Sequence, residues 1–245
     1  MNLKPHTIIV LAIILLSTFV RSTFGFGDAL IAMPLLAMTV GIQIATPLVA
    51  LIASTIAITI LLKNWRSVDV GSAWRLVVSS LIGIPIGLVF LKGAYENIVT
   101  AVLALLIVSF SLYSLLKPKL SFPPSDRSAY VFGLLAGILG GAYNTNGPPI
   151  VIYGTLKKWP AKSFRATLQG YFSPTGLLIV GSHGLAGLWT SDVLHLYFIS
   201  LPVVFLAILL GGKLNSSIPT GKFDRYIHVA LIIIGTILLI NSIHI

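Results

Sequence analysis

A charge-free run with a polar break inside it limits what this chain can fold into. The run extends from Ser128 to Leu156, and it contains the hexapeptide Asn144-Thr145-Asn146-Gly147-Pro148-Pro149. Glycine and proline are poor helix formers. A bilayer offers no water to a broken backbone, so a break of this kind persists only inside protein or beside a wet cavity. The sequence therefore predicts a functional break within a membrane-embedded segment.

Composition supports a multi-pass membrane protein. Only 9% of the 245 residues are charged and 56% are hydrophobic, whereas a soluble domain has about 25% charged residues. The apolar runs are continuous, which argues against the alternating strands of an outer-membrane barrel. The net charge of +10 indicates no nucleic-acid partner, because Lys and Arg cluster in short loops between spans. We predict an all-α polytopic protein of the inner (plasma) membrane.

The apolar runs divide the chain into two similar halves. Thr23–Asp28 interrupts the first half as the hexapeptide interrupts the second, and Gly27 and Gly147 are 120 residues apart. A span needs about 20 apolar residues. The predicted first repeat is 1–116, with a hairpin at 7–38 and spans at 43–62, 76–91 and 97–116. A linker follows at 117–127. The predicted second repeat is 128–245, with a hairpin at 128–156 and spans at 163–181, 193–212 and 226–241.

The distribution of basic residues predicts the topology. If each broken segment enters and returns on its own side, thirteen of the sixteen Lys and Arg residues lie inside, and only Lys4, Arg21 and Lys92 lie outside, as the positive-inside rule favours. Each half is then a broken, re-entrant helical hairpin plus three transmembrane helices, and the odd number of crossings makes the two repeats inverted. The alternative for the first hairpin is that 7–20, if tilted, crosses the membrane fully.

The second break has the residues of an anion site. Asn146 suits the N-cap of a helix and Pro148 its first turn, so the helix start would direct its positive dipole end at the protein centre. Asn144 and Thr145 add polar side chains, and Gly147 permits close backbone approach. Polar groups are costly within the membrane. The alternative is that Gly and Pro only turn the hairpin.

The first break offers Thr23, Gly25 and Gly27, where glycine permits close backbone approach. Asp28 follows, and it is the one acid that the sequence places at membrane depth. An intramembrane carboxylate is a functional candidate by default, so Asp28 is a candidate proton carrier. The alternative is a capping carboxylate for the helix over 29–38, and both roles are compatible.

A polar stripe follows the second hairpin. Its members Lys162, Arg165, Gln169 and Ser173 are three or four residues apart and share one helix face. Gln169 and Ser173 are candidate donors to a cavity. Two roles are open for Arg165 and Lys162: drawing an anion inward from the cytoplasm, which is favoured for Arg165, and binding lipid phosphate, which is favoured for Lys162.

Other chemistry is not indicated. The chain has no cysteine, its five histidines are scattered, and Walker A, HExxH and GxSxG motifs are absent. We predict no metal, no cofactor and no enzymatic activity.

Both breaks resemble the motifs of a known family. They are Gly25-Phe26-Gly27-Asp28-Ala29-Leu30 with Met33-Pro34-Leu35-Leu36, and Gly140-Gly141 through Gly147-Pro148-Pro149 with Phe164-Arg165-Ala166-Thr167. In order and spacing, over nearly the whole chain, they are similar to those of the TauE/SafE family of sulfite and organosulfonate exporters. The family often has Gly where this chain has Asp28. The resemblance implies a duplicated four-segment unit and transport of small sulfur-containing or carboxylate anions.

The sequence thus predicts a secondary transporter, an exporter of a small anion such as sulfite or an organosulfonate, working by alternating access in the bilayer. The alternative is a channel-like or accessory membrane protein without a solute-bound carrier cycle. The oligomeric state does not follow from the sequence.

Overall fold

The structure, a computed structural model, describes residues 4–93, 95–116, 125, 127–215 and 221–243. These residues form ten α-helices and one short 3₁₀ turn, Trp65–Ser67, without a β-strand, which confirms the predicted all-α class. The helices are α1 (Lys4–Phe24), α2 (Asp28–Val40), α3 (Ile42–Asn64), α4 (Val70–Gly93), α5 (Glu96–Leu116), α6 (Ser128–Tyr143), α7 (Gly147–Leu156), α8 (Ala161–Leu185), α9 (Ser191–Asn215) and α10 (Gly221–Ile243).

Five helices in the described part of the chain are long and apolar enough to cross a bilayer. Their apolar stretches are Thr7–Phe24, Ile42–Leu62, Ala73–Gly93, Asn97–Leu116 and Ser191–Leu214. Together with the absence of strands in the described residues, they identify a polytopic membrane protein. Each of the six predicted spans lies within one helix, but the division into two repeats stays a prediction, and most of the predicted linker lies outside the described residues.

The first break separates α1 from α2 at residues 25–27. Gly25 and Gly27 have φ angles of +91° and +99°, a left-handed conformation that glycine adopts at little cost. The Gly25 N–H donates to the Arg21 carbonyl oxygen at 2.6 Å, which closes the last turn of α1. The chain then restarts as α2 at Asp28.

The second break separates α6 from α7 at residues 144–146. Asn144 has a φ angle of +52°, and asparagine is among the few residues other than glycine that tolerate this conformation. Its N–H donates to the Gly140 carbonyl oxygen at 2.8 Å, and Pro148 lies in the first turn of α7, where its missing N–H costs nothing. Residues 128–156 are therefore two helices rather than one rod.

The two broken segments differ in length. With 21 residues, α1 measures about 31 Å, enough to cross a core of about 30 Å. With 16 residues, α6 measures about 24 Å and falls short of it. Length thus favours re-entry for the second hairpin and permits the full crossing that the sequence left open for the first. Re-entry of both hairpins stays a prediction.

The helices of the two halves interlock. The first helix of each predicted repeat packs on the fourth helix of the other, α1 on α9 and α6 on α4, while α3 pairs with α8 and α5 with α10. Two hydroxyl pairs join matching interfaces: Ser80 and Tyr171 at 2.7 Å between α4 and α8, and Thr55 and Tyr197 at 2.9 Å between α3 and α9. Such reciprocal pairing is what a two-fold relation between the halves produces. Their inverted orientation stays a prediction.

Glycines bring α4 and α6 into close contact. A Cβ added at Gly87 would overlap the carbonyl oxygen of Ile138, and one added at Gly141 would overlap that of Ile84. Small residues at helix interfaces let backbones approach closely where lipid supplies no hydrophobic drive. This contact holds α6, and with it the second break, against the first half of the chain.

Candidate functional site

Both breaks line a single cavity, which we call the break cavity. Its volume is about 20 Å³. The first break and the start of α2 form one wall, the second break and the start of α7 form another, and side chains of α1 and α8 complete it. Its lining residues are Arg21, 26–30, 144–148 and Phe172. Residues far apart in sequence, Gly27 and Gly147 among them, therefore meet at one site.

The starts of two helices contribute to this cavity. Gly27 is the N-cap of α2 and Asn146 is the N-cap of α7, and both line the cavity. The N-terminus of a helix has partial positive charge and unsatisfied N–H groups. Pro148 and Pro149 have no N–H, so α7 contributes mainly its dipole and the Gly147 N–H. The site therefore favours negative charge.

A buried ion pair lies at the centre of the break cavity. Arg21 is 3% exposed and Asp28 7% exposed, and the Arg21 Nη1 donates to Asp28 Oδ2 at 2.7 Å. The Arg21 guanidinium also lies over the Phe172 ring, 4.9 Å from its centroid, a favourable cation–π contact. A charge this deeply buried persists only when it is paired.

Gln169 of α8 joins the ion pair to the first break. Its Oε1 accepts from Arg21 Nη2 at 3.1 Å, and its Nε2 donates to the Gly25 carbonyl oxygen at 2.7 Å. Gln169 was predicted to donate to a cavity, but in this structure both ends of its amide contact protein. It therefore orients Arg21.

The count of basic residues placed Arg21 on the external side with Lys4 and Lys92. That side stays a prediction, but Arg21 is buried in the protein interior rather than exposed in a loop. A carboxylate and an amide within hydrogen-bonding distance compensate the cost of removing its charge from water. The sequence contains a signal that points to this pairing. Arg21 and Asp28 are the only charged residues between Lys4 and Lys63, and they flank the first break.

Capping differs from the predictions at both helix starts. Asp28 is the first residue of α2 rather than its N-cap, and its carboxylate contacts Arg21 instead of the first-turn N–H groups. Asn146 is at the N-cap of α7, as predicted, but its side chain makes no capping hydrogen bond. The Asp28 carboxylate is thus paired with Arg21, and Asn146 lines the cavity without capping its helix.

Unpaired polar groups surround the ion pair. Within the described residues, no hydrogen bond involves the side-chain amides of Asn144 and Asn146, which are 4% and 8% exposed. The Arg21 Nε is also buried without a partner. By contrast, the Thr145 hydroxyl donates to the Tyr143 carbonyl oxygen at 3.0 Å. Unsatisfied buried groups are costly, so a polar guest would stabilise this site.

A second, smaller cavity adjoins the first and is called the side cavity. It shares Arg21, Asn144, Asn146 and Phe172 with the break cavity. The remaining lining residues, Ala53, Ser54 and Gly176, belong to α3 and α8, and the Ser54 hydroxyl is buried without a partner. The four shared residues therefore separate two polar spaces.

Of the other predicted site residues, those with described side chains are not among the lining residues of either cavity. The Thr23 hydroxyl donates to the Phe19 carbonyl oxygen at 2.8 Å. Arg165 packs its stem on Gly25, where an added Cβ would be 3.3 Å from Arg165 Cγ. Ser173 is buried and its hydroxyl has no partner. The side chain of Lys162 lies outside the described residues. Phe172 was not among the predicted site residues, but its ring contacts the Arg21 guanidinium.

Fold and site together define a polytopic helical membrane protein with a cavity at its two helix breaks, lined by a buried arginine–aspartate pair. The chain belongs to the family described as "Sulfite exporter TauE/SafE", whose profile matches residues 9–238. It is similar to the "Probable sulfite/organosulfonate exporter TauE" of Cupriavidus necator, with 25% identity over 239 residues that cover 92% of this chain and 91% of that protein. No solved structure matches the chain significantly.

Family membership confirms the resemblance seen in the two sequence motifs. It also supports a multi-pass membrane protein of an exporter family rather than an enzyme family. Of the glycines and prolines in these motifs, Gly25, Gly27 and 147–149 lie at or next to the two breaks of the structure. Pro34 lies inside α2, and 140–141 lie near the end of α6.

Proposed function

We propose that this protein is a secondary transporter that exports a small sulfur-containing or carboxylate anion, such as sulfite or an organosulfonate, by alternating access. The relative from Cupriavidus necator is named for sulfite and organosulfonate export. The observation that most strongly supports an anion site is the buried Arg21, whose Nε has no partner and which lines one cavity together with Asn144 and Asn146.

In this proposal the anion binds in the break cavity. Arg21 supplies positive charge, Asn144 and Asn146 donate hydrogen bonds, and the starts of α2 and α7 add their dipoles. The wall of the break cavity includes Thr145, Gly147 and Pro148. The proposed second layer, behind that wall, consists of Thr23, Gly25 and Ser173. Gln169 holds Arg21 in position, and Arg165 attracts the anion toward the first break.

The two adjoining cavities suggest a path for the anion. The break cavity and the side cavity meet at Arg21, Asn144, Asn146 and Phe172. A carrier whose halves rock around a central site exposes that site to one side at a time. We propose that Phe172 and Arg21 separate the two spaces, so that the anion reaches Arg21 from either one.

Counterflow in proteoliposomes tests the carrier mechanism. Trapped unlabelled sulfite should accelerate the uptake of radiolabelled sulfite, because a carrier exchanges bound solute faster than it returns empty. A channel-like protein would show no acceleration, and an accessory protein no uptake above that of protein-free vesicles. Either of these results would contradict the proposed function.

Replacing Asn146 with alanine tests the proposed site. Loss of one donor to a charged ligand costs about 1.5–3 kcal/mol, so sulfite should bind roughly 10- to 150-fold more weakly. Isothermal titration of the purified protein measures the change. Ser111→Ala is the matched control, because Ser111 is also buried with an unpaired hydroxyl but lies on α5. Equal losses in both variants would remove the assignment.

A further inference from the structure

We propose that Asp28 competes with the transported anion for Arg21, so that each anion binds together with one proton. When the cavity is empty, the Asp28 carboxylate neutralises Arg21; when an anion binds, Asp28 takes up a proton and releases the guanidinium. This proposal rests on the proposed function, and it specifies the coupling ion that the family match does not give.

The contacts of Arg21 are the first argument. Nη1 is engaged by Asp28, Nη2 by Gln169, and one face of the guanidinium by Phe172. Only Nε lacks a partner. A sulfonate or carboxylate binds a guanidinium best through two parallel N–H groups. The Asp28 and Gln169 contacts each use one N–H of a terminal nitrogen, and of these two partners only Asp28 carries a negative charge. The contact that an anion can replace with another anion is therefore the one with Asp28.

Charge is the second argument. With the Arg21–Asp28 pair intact, the buried groups carry no net charge. A monovalent anion added to that pair would leave one uncompensated negative charge in a site that water reaches poorly, which is costly. Protonation of Asp28 restores neutrality. The empty and the loaded cavity are then both neutral, so either can be closed off from water during the transport cycle.

Few other charged or titratable groups in the described residues lie near Asp28. On the helices packed against α2, Arg21 of α1 contacts Asp28 directly, and α3 has no titratable residue from 42 to 62. His228 of α10 lines an adjoining space with Gly27, and α5 carries Tyr113, half-buried. From α8, Arg165 packs on Gly25. Asp28 is the acid among these groups, which makes it the candidate proton site. His228 is the other group that an experiment must exclude as the source of a pH dependence.

Binding of methanesulfonate to the purified full-length protein tests this inference, because this probe stays ionised throughout the range. We expect the wild type to bind at least roughly tenfold more tightly at about pH 6 than at about pH 8, since proton and anion binding are reciprocal. Asp28→Asn should bind without pH dependence, and at about pH 8 it should bind at least as tightly as the wild type does at about pH 6. Loss of a site carboxylate would thus tighten binding.

Controls separate the possible outcomes. Asp192→Asn, at the start of α9, and His228→Gln should each retain the pH dependence of the wild type. If Asp28→Asn does not fold, the pH dependence of the wild type and its persistence in His228→Gln still decide the question. A wild-type affinity independent of pH, a weaker affinity in Asp28→Asn, or loss of the pH dependence in His228→Gln would overturn the inference. Absence of methanesulfonate and sulfite binding in every variant would instead overturn the proposed function.

Discussion

Replacing Arg21 with glutamine is expected to abolish anion binding and to destabilise the fold. Arg21 is the cation of the break cavity, and its removal also leaves the buried Asp28 without a positive partner. Removal of one member of a buried ion pair costs about 3–5 kcal/mol of stability. Sulfite affinity should fall by at least about a hundredfold. Isothermal titration and unfolding curves in detergent measure the two effects.

Two further variants separate binding from stability. In Arg21→Gln/Asp28→Asn no buried charge remains unpaired, so the free energy of unfolding should recover while anion binding stays lost. Arg66→Gln is the matched control, because Arg66 is exposed and lies over the Trp65 ring; it should change neither quantity. Sulfite binding by Arg21→Gln at wild-type affinity would show that the anion site lies elsewhere.

The second large effect is expected where α4 meets α6. Gly87→Ala should destabilise the protein, because the added methyl group would overlap the carbonyl oxygen of Ile138 and force the two backbones apart. Overpacking of this kind costs about 1–3 kcal/mol, sometimes more. The shift would also move the second break away from the first, so transport should decrease along with stability.

Gly181→Ala is the matched control for that substitution. Gly181 lies inside α8, and an added Cβ there would meet no atom within 4 Å. Alanine is a better helix former than glycine by about 1 kcal/mol, so this variant should be slightly more stable than the wild type. Thermal unfolding followed by tryptophan fluorescence compares the two. A destabilisation shared by both variants, or by neither, would contradict the role assigned to the α4–α6 contact.

Much of the fold follows from the sequence for simple physical reasons. Long charge-free runs can satisfy their backbone groups in lipid only as helices, and the helices coincide with those runs. The breaks were predictable because Gly25, Gly27 and Asn144 can adopt positive φ angles and because Pro148 begins a helix well. How the helices of the two halves interlock was not predictable, because it depends on tertiary packing between distant segments.

The site was predicted only in part. The polar residues Asn144, Asn146 and Asp28 stood out because such groups are costly in an apolar run. Arg21 was missed because the positive-inside rule assigns every basic residue to a loop between membrane spans. Pairing with Asp28 and Gln169 allows Arg21 to be buried instead. Gln169 was found through its helix face, but its role as a support for Arg21 depends on contacts that no spacing reveals.

We infer that the two breaks form one anion site around Arg21. A crystal structure with bound bromoethanesulfonate tests this inference, because the anomalous signal of bromine locates the ligand independently of the protein density. We expect a bromine peak in the break cavity, with the sulfonate in hydrogen-bonding distance of Arg21 and of Asn144 or Asn146. A peak confined to other parts of the protein, with the break cavity empty, would contradict it.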